Sequence, residues 1–364
     1  MVLKILHITA TLGGGIPIAL SGLVEAQNRI ENMESRVIFV GDKADNKKIS
    51  FGFEWQQNSE VSLYLKNYSP NVVIFHGFYF TVYLKLFKQV MKTGIPYFIE
   101  PHGSFGHEAM RKSYLKKKLA NKLLFDKFVR FAKGIIFLNE FEKTDSIYRT
   151  NVDVVIPNGQ HSVSKTISTT AEIVPEKVKF YFCGRFDFRQ KGLDVLFDAL
   201  SIIDKKPEAS DIVFDIYGYG SKSEEQLLNS KLATYKNISV INHGKISPVE
   251  YEKQLPGKIM VLPSRYEGFP MTILEAWSLG NPCLVTSGTN MLDEVIKNKL
   301  GWGCELTAEN IANTMINAAI EYRNNDREYI QKCQEYVIKE YSWKNVAEIS
   351  FRVLREFSSE KMSY

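Results

Sequence analysis

The stretch IMVLPSRYEGFPMTILEAWSLGNP, residues 259–282, contains a complete strand, loop and helix. Its first four residues are apolar and predict a buried strand. Pro270 suits the first turn of a helix, where a missing N–H costs nothing. Gly280 stands where a helix of this length ends, and Pro282 prevents its continuation. A buried strand that leads directly into a helix is the repeating unit of doubly wound α/β folds.

Two glutamates flank the turn in this stretch. Glu267 precedes the helix, and Glu275 lies roughly two turns into it. In one interpretation both are solvated acids, and in the other both contact a ligand. A carboxylate beside a helix N-terminus is biased towards its ionised form, so Glu267 is a poor general acid and suits hydrogen bonds from hydroxyls.

Both halves of the chain alternate short apolar runs with longer segments of helical periodicity. The runs of the first half are residues 3–9, 35–41, 72–77, 96–103, 134–139 and 152–159. The runs of the second half are residues 177–184, 211–218, 237–244, 258–264 and 282–288. Continuous apolar runs are typical of strands that are buried on both faces of a parallel sheet. The fold class predicted is therefore α/β, with two Rossmann-like, doubly wound parallel-sheet domains.

The length of 364 residues suggests about two domains. Residues 160–175 are polar, rich in Ser and Thr and without periodicity, and we interpret them as the linker. We predict domains at residues 1–165 and 166–345, followed by a C-terminal helix at 346–364 that crosses back to the first domain. Ligands of open parallel sheets bind outside the carboxyl ends of the strands, so we expect two facing domains to share one central cleft.

Composition favours a globular protein without membrane spans. The chain is 45% hydrophobic and 24% charged, and it contains no apolar run of the roughly 20 residues that span a bilayer. The opening run MVLKILHIT lacks the charged lead and cleavage site of a signal peptide. The four cysteines are scattered without CxxC pairing, which is typical of reduced thiols. We expect a cytoplasmic protein.

The positive charge is concentrated in the first half. Residues 1–165 contain 22 Lys and Arg against 14 Asp and Glu, a balance of +8, whereas the remainder contains 24 against 27, a balance of −3. Residues 110–134 alone contain nine basic residues and one acid. The apolar side of this segment consists of Leu115, Leu119, Leu123, Phe125 and Phe128. Either this side packs in the core beneath a solvated basic face, or the segment rests on anionic lipid.

The first strand of each half is followed by a loop that suits a phosphate. TLGGGIP, residues 11–17, contains Gly14 and Gly15, where the backbone can approach a ligand closely. A tight turn without a ligand explains these glycines equally well. In CGRFDFRQKG, residues 183–192, Arg185 and Lys191 can converge on a diphosphate, or they can be ordinary solvated cations.

His102 ends a strand in the sequence PHGS, residues 101–104. A lone histidine is structural more often than catalytic, so both interpretations stay open at this point. With a diphosphate held by Arg185 and Lys191, Glu275 suits the two hydroxyls of a ribose. The paired glutamates of the opening stretch therefore indicate a polyhydroxylated, phosphorylated ligand.

These motifs together resemble the GT-B glycosyltransferases of the large retaining family called GT4. The features that carry the resemblance are GGGIP near the N-terminus, PHG at the fourth strand, IPNG before the linker, GRFDFRQKG, the E-x7-E spacing of Glu267 and Glu275, LGNP, and the late SW at Ser342 and Trp343. Their order and spacing cover nearly the whole chain. The sequence departs from the family at PNGQH, where PNGVD is frequent, and we assign no role to Gln160 or His161.

The resemblance implies an acceptor-binding first domain and a second domain that binds a nucleotide-sugar donor. The catalytic residues that it implies are His102, Glu267, Arg185 and Lys191. The donor-binding residues that it implies are Gly14, Gly15, Gly184, Arg185, Lys191, Tyr217, Gly218, Lys245, Ile246, Gly268, Phe269, Pro270, Met271, Thr272 and Glu275. Tyr217, Gly218 and Lys245 would lie near the base, and His102 beneath the anomeric carbon.

The implied reaction is retaining transfer of a sugar from a UDP- or GDP-linked donor to an acceptor hydroxyl. The acceptor would be a glycan or lipid-linked saccharide in surface polysaccharide biosynthesis, and the protein would rest peripherally on the inner face of the membrane. No D-x-D motif occurs, so we expect neither metal nor cofactor. We also expect no nucleic-acid partner. A sugar-nucleotide epimerase of the same fold and a non-catalytic nucleotide-sugar sensor are the alternatives; an NAD enzyme is disfavoured because the first loop lacks GxGxxG.

Overall fold

The apolar runs form the strands of two separate parallel sheets, which confirms the predicted doubly wound architecture. The computed structural model describes residues 2–42, 52–111, 113–161, 177–207, 211–360 and 362. Residues 162–175, which make up most of the predicted linker, lie outside the described residues. The chain divides into two compact units, Met1–Gly159 with Tyr341–Tyr364, and Gln160–Glu340. The first unit thus ends before the predicted boundary at residue 165 and takes in the C-terminal segment.

The first unit is built on a seven-stranded sheet in the order β3-β2-β1-β4-β5-β6-β7. Its strands are β1 Leu3–Thr9, β2 Met33–Phe39, β3 Glu54–Trp55, β4 Val72–His76, β5 Tyr97–Glu100, β6 Gly134–Phe137 and β7 Asp153–Val155. Its helices are α1 Ile16–Gln27, α2 Val61–Tyr68, α3 Tyr83–Met91, α4 His107–Arg111, α5 Tyr114–Ala120, α6 Asp126–Arg130 and α7 Glu140–Thr144, with a π-helical turn at Asn121–Phe125.

The second unit is built on a six-stranded sheet in the order β10-β9-β8-β11-β12-β13. Its strands are β8 Val178–Arg185, β9 Ile212–Tyr219, β10 Ser239–Gly244, β11 Ile259–Leu262, β12 Cys283–Thr286 and β13 Gly301–Cys304. Its helices are α8 Phe188–Lys191, α9 Leu193–Ile203, α10 Lys222–Leu232, α11 Pro248–Gln254, α12 Met271–Ser278, α13 Leu292–Lys297 and α14 Ala308–Tyr341, which is kinked at Asn325.

Helix α15, Trp343–Arg355, packs against α1 of the first unit. Ser342 caps its N-terminus by accepting a hydrogen bond from the backbone N–H of Asn345. The indole of Trp343 lies between two glycines, because a Cβ on Gly22 would come within 2.4 Å of it and one on Gly159 within 2.5 Å. The IPNG and SW motifs therefore meet in the core of the first unit.

The segment 110–134 does not form one amphipathic helix with a buried apolar side. It is divided among α4, α5, the π-helical turn and α6. Phe125 and Phe128 are buried, whereas Leu115, Leu119 and Leu123 are 77%, 60% and 66% exposed. The prediction that these five side chains share one face is wrong, because the π-helical turn changes the direction in which successive residues point.

Several candidate residues follow strands at the point where the strand order of a sheet reverses. Each order reverses direction once, between β1 and β4 in the first unit and between β8 and β11 in the second. Loops after the strands at such a switch point form the ligand crevice of doubly wound sheets. None of the helices within the described ranges combines the length and hydropathy needed to cross a bilayer.

Candidate functional site

Lys191 and Glu267 form an ion pair at the switch point of the second sheet. Nζ of Lys191 lies 2.6 Å from Oε1 of Glu267, and both side chains are largely buried. Ser264 Oγ donates a second hydrogen bond to the same oxygen, also at 2.6 Å. The sequence predicted both residues for the site, and the structure brings them together as partners of each other.

Gly192 explains how these two residues meet. It follows α8 with φ +67°, and a Cβ at this position would lie 2.0 Å from the carbonyl oxygen of Pro263. Only glycine allows this approach, and it places the end of α8 against the loop that follows β11. At the start of α8, Asp187 accepts a hydrogen bond from the backbone N–H of Gln190 and so fixes the helix.

Arg185 ends β8 beside this pair and remains 58% exposed. Its guanidinium donates to Oε1 of Gln190 at 3.2 Å and lies 3.5 Å from Asp187 Oδ2. Arg265, in contrast, is held by Asp194 through two hydrogen bonds of 2.7 Å. Arg185 therefore keeps donors free for an anion, whereas the donors of Arg265 are engaged.

Helix α12 begins with an uncapped N-terminus beside Glu267. Pro270 occupies the N-cap position, no side chain accepts a hydrogen bond there, and the first turn contains no acid. Oγ1 of Thr272 is buried without a hydrogen-bond partner among the described residues. The amide side chain of Asn290 donates to the carbonyls of Glu267, at 2.5 Å, and Gly268, at 3.3 Å, and so holds the loop before the helix. This end of α12 suits an anion or a hydroxyl-bearing ligand.

A cavity of about 290 Å³ lies at the other side of α12. Its lining residues are Gln160, Cys183, Ile246, Ser247, Pro248, Tyr251, Glu252, Glu275, Ser278 and Leu279. Burial raises the pKa of Glu275, and within the described residues its carboxylate has no hydrogen-bonding or ionic partner. A partly buried acceptor that faces a cavity in this way is satisfied only by a ligand or by water.

Three predicted base-binding residues have other surroundings. Tyr217 is only 1% exposed, its ring stacks on His243 at 4.6 Å, and its hydroxyl accepts a hydrogen bond from Lys258 Nζ at 3.0 Å. Gly218 is required by packing, because a Cβ there would lie 1.8 Å from the carbonyl oxygen of Gly184. Lys245 is exposed and lies over the ring of Tyr219. Ile246, which was also predicted for the donor site, lines the cavity.

The glycine loop of the first unit is open. Gly14 has φ +74°, and Gly15 precedes α1 as its N-cap. A Cβ on either residue would meet no atom within 4 Å. Close packing therefore explains neither glycine, and the loop leaves room for a ligand close to the backbone.

His102 lies after β5 in a left-handed conformation, with φ +50°. Its Nε2 is 3.1 Å from Nδ1 of His76 and 3.3 Å from Oε1 of Glu100. Burial lowers the pKa of His102 to about 4 and raises the pKa of Glu100 well above its usual range, with the Glu142 carboxylate adding to the second effect. Near neutral pH, His102 is therefore an uncharged imidazole.

Glu142 holds the backbone that follows His102. Its carboxylate accepts hydrogen bonds from the N–H of Gly103 at 2.5 Å and of Leu138 at 2.7 Å. Burial raises the pKa of Glu142 to about 7, and these two hydrogen bonds oppose the shift. Nothing in the sequence marked this residue, since it stands in an ordinary polar helix start.

The histidine side chains of the first unit continue from the site into the core. His76 Nε2 lies 2.8 Å from Nδ1 of His7, and His7 Nε2 lies 3.0 Å from Oε1 of Gln27. Sequence reasoning missed His7 and His76; the available signal was that each interrupts an apolar strand run. His76, Glu100 and His102 also offer ligand atoms that all lie within 4.8 Å of one another, which makes them the candidate metal-binding group among the described residues.

Comparison with known protein families finds a match for the second unit. Residues 164–340 match the family model described as glycosyl transferases group 1. The match covers nearly all of the second unit. With the two doubly wound sheets, the fold class of the chain is GT-B, as the motifs predicted.

Two curated relatives resemble parts of this chain. The "Uncharacterized 41.2 kDa protein in cps region" of Klebsiella pneumoniae is 27% identical over 135 residues, which are 35% of this chain and 33% of the relative. The Lipopolysaccharide 1,6-galactosyltransferase of Salmonella typhimurium is 29% identical over 246 residues, which are 66% of this chain and 62% of the relative. The chain thus spans about a third and about three fifths of these relatives.

Solved structures share the fold over nearly the whole chain. The lipopolysaccharide outer core galactosyltransferase WaaB is 19% identical with a TM-score of 0.68, covering 97% of this chain and 99% of that one. Anabaena Alr3699/HepE in complex with UDP is 16% identical with a TM-score of 0.72, covering 97% and 100%. The pneumococcal O-GlcNAc transferase GtfA in complex with UDP and GlcNAc is 13% identical with a TM-score of 0.70, covering 98% and 99%.

Proposed function

We propose that this protein is a retaining glycosyltransferase that moves a sugar from a UDP-linked donor to an acceptor hydroxyl. The observation that carries the proposal is the unpartnered, partly buried carboxylate of Glu275 in a cavity beside the uncapped start of α12. A group 1 glycosyltransferase unit with such an arrangement suits a nucleoside diphosphate, which combines ribose hydroxyls with two phosphates. UDP, rather than GDP, is favoured because Alr3699/HepE and GtfA were both solved with UDP.

In this proposal the nucleoside occupies the 290 Å³ cavity and the phosphates lie at the N-terminus of α12. Glu275 accepts hydrogen bonds from the two ribose hydroxyls, which satisfies its carboxylate. Arg185 binds the diphosphate with its free donors. Lys191 has three N–H donors, so it can keep Glu267 as a partner and also reach a phosphate oxygen.

The donor sugar lies in this proposal against Glu267 and the backbone of Gly268 to Thr272. Glu267 accepts hydrogen bonds from sugar hydroxyls, and its ion pair with Lys191 orients the carboxylate. We also propose a catalytic role for His102, because an uncharged imidazole does not oppose the positive charge that develops on the transferred sugar.

The reaction proposed is a front-face displacement. The acceptor oxygen bonds to the anomeric carbon as the bond from that carbon to the diphosphate oxygen breaks, and the acceptor proton passes to the departing diphosphate. Arg185, Lys191 and the α12 N-terminus stabilise the negative charge of the leaving group, which is the work that a metal performs in other transferases. We therefore propose that transfer is metal-independent.

The acceptor that we propose is a glycan or lipid-linked saccharide of surface polysaccharide biosynthesis. This part rests on the two relatives, one from a cps region and one a lipopolysaccharide galactosyltransferase. The exposed leucine stripe, defined as Leu115, Leu119 and Leu123, supports it, because these side chains lie among the nine basic residues of segment 110–134. We propose that the stripe enters an anionic membrane surface, where each nearby lysine contributes roughly 1 kcal/mol.

A thermal-shift panel of nucleoside diphosphates and nucleotide sugars in EDTA tests the donor assignment. A ligand at 100 times its dissociation constant adds about 2.7 kcal/mol of stability, which is readily seen as a higher Tm. We expect UDP and a UDP-sugar to raise the Tm of the wild type, and of the control Arg189→Ala, but much less that of Arg185→Ala. No shift with any nucleotide would overturn the proposal.

A further inference from the structure

A continuous chain of buried polar side chains runs from His102 to the C-terminal helix of the first unit. Its members, the histidine chain, are His102, His76, His7, Gln27 and Ser350. The successive contacts measure 3.1, 2.8, 3.0 and 2.8 Å. The four residues beyond His102 are at most 1% exposed. The catalytic scheme proposed above uses only His102.

The direction of the hydrogen bonds follows from the far end of the chain. Nε2 of Gln27 donates to Oγ of Ser350, so Oε1 of Gln27 faces Nε2 of His7. An amide oxygen only accepts, and His7 must therefore carry its hydrogen on Nε2. His7 is fully buried, and its two ring nitrogens contact Gln27 and His76 and no carboxylate of the described residues, so the ring is neutral and its Nδ1 accepts.

The same logic continues towards the site. Nδ1 of His7 accepts from Nε2 of His76, so the hydrogen of a neutral His76 ring lies on Nε2 and its Nδ1 is an acceptor. That nitrogen faces Nε2 of His102 at 3.1 Å and Oε2 of Glu100 at 3.4 Å. A protonated Glu100 can donate to His76 Nδ1 and accept from His102 Nε2 at 3.3 Å. Either arrangement places the hydrogen of His102 on Nε2.

We propose that Gln27, His7 and His76 are positioning residues that hold His102 as the Nε2–H tautomer, with Nδ1 presented as a hydrogen-bond acceptor. Nδ1 of His102 has no partner among the described residues. It thereby selects a ligand that offers a hydroxyl hydrogen, such as the sugar of the donor or the acceptor. Only this last step rests on the proposed glycosyltransferase function; the tautomer itself does not.

A metal ion held by His76, Glu100 and His102 is the alternative arrangement, and it predicts the opposite tautomer of His102. Metal bound to Nε2 of His102 would leave the hydrogen of that ring on Nδ1. Reversal of the Gln27 amide has the same effect, because each hydrogen bond of the chain would then run the other way. The tautomer of His102 therefore distinguishes the proposal from both.

Long-range proton–nitrogen NMR of the full chain, labelled with 15N-histidine, measures the tautomer. The chain contains six histidines, and His102→Asn assigns the signals of His102. In EDTA we expect Nδ1 of His102 to be pyridine-like and Nε2 pyrrole-like. A pyrrole-like Nδ1, or a change of tautomer when zinc is added at equimolar concentration, would overturn the proposal.

Gln27→Met tests whether the distal amide sets the tautomer, since it preserves the side-chain length and removes both hydrogen bonds. We expect a mixture of His102 tautomers and at least a threefold lower kcat/KM with the donor. Asn71→Leu is the control, because Asn71 also links β-strand backbone to the C-terminal segment, through Lys4 N–H and Ser358 O, outside the chain. It should leave His102 unchanged.

Ser350→Ala provides a second variant should Gln27→Met not fold. It removes the acceptor that orients Gln27, so the amide can reverse and a pyrrole-like Nδ1 should appear in part of the population. An unchanged His102 in whichever of the two variants folds would contradict the role of the chain. If the wild-type protein does not turn over the donor, that result would instead contradict the proposed function, and the tautomer measurement would remain valid.

Discussion

Glu275 illustrates how a single residue can oppose folding and serve binding. Its carboxylate is partly buried beside a cavity, and its folded-state pKa is raised because the ionised form loses water without gaining a partner. A group whose pKa rises on folding stabilises the fold only where it is protonated. Above its usual pKa the ionised side chain therefore lowers the free energy of unfolding. A ligand that donates hydrogen bonds to the carboxylate removes this penalty.

Glu275→Gln should consequently raise the Tm of the ligand-free protein at pH 7.5 and weaken UDP binding. A hydrogen bond to a charged group contributes roughly 1.5–3 kcal/mol, so losing one should lower affinity by about tenfold or more. Differential scanning fluorimetry and titration calorimetry measure the two effects. Glu252→Gln, in the same cavity lining, serves as the control; equal UDP affinity in both variants would contradict the assignment of Glu275.

His102 should make the stability of the first unit sensitive to acid. Burial lowers its pKa to about 4, so the unfolded state, with a pKa near 6.5, binds more protons between these values. The wild type should therefore lose stability as the pH falls from 6.5 to 4, by up to about 3 kcal/mol from this group. The facing groups Glu100 and His76 also titrate, so the measurement must be a difference between variants.

His102→Asn isolates that contribution, because asparagine tolerates the left-handed backbone at φ +50°. Urea unfolding at pH 7 and at pH 4.5 gives the free-energy difference between wild type and variant. We expect the wild type to become less stable relative to the variant at the lower pH. A difference that stays constant with pH would show that His102 is not buried as a neutral ring.

At the scale of elements, the leucine stripe of α5 and the adjoining π-helical turn is an exposed apolar surface that suits a binding partner. Leu115, Leu119 and Leu123 follow one another at four-residue spacing and are all exposed. Lysines lie between them in the sequence, so apolar and basic groups share one segment. A surface of this composition suits the interface of an anionic membrane.

Leu119→Ser combined with Leu123→Ser should reduce co-sedimentation with vesicles that contain phosphatidylglycerol by about tenfold, since partial burial of two leucines contributes on the order of 1.5–3 kcal/mol. The Tm should change little because both side chains are exposed. Leu63→Ser, an equally exposed leucine on α2, is the control. Wild-type protein that ignores anionic vesicles at low salt would contradict membrane contact.

At the scale of the whole molecule, the fold is predictable because burial on both faces leaves a plain sequence pattern. Runs such as residues 259–262 are continuously apolar, and Gly280 and Pro282 mark the end of the helix that follows. The same pattern does not say whether an apolar helix side meets protein or solvent. The exposure of Leu115, Leu119 and Leu123 was therefore outside its reach.

The site was predictable only in part, because contacts between distant segments depend on register and close approach. The pairing of Lys191 with Glu267 follows from Gly192 packing against Pro263, which no local pattern reveals. The contact between His7 and His76 follows from the parallel register of β1 and β4, in which Thr9 lies beside His76. The motif resemblance identified candidate site residues, whereas the structure identified the side chains that they contact.

The central claim is that the ion-paired loop and α12 form a metal-independent clamp for a nucleotide-sugar donor. The most direct test measures UDP release from a panel of UDP-hexoses, in EDTA, with a membrane extract as the source of acceptors. We expect release by the wild type and by Arg189→Ala, and a roughly 100-fold or greater loss in Lys191→Ala, comparable to removal of a transition-state donor. Conversion of the donor to its epimer without UDP release, binding without turnover, or loss of release in EDTA would contradict the account.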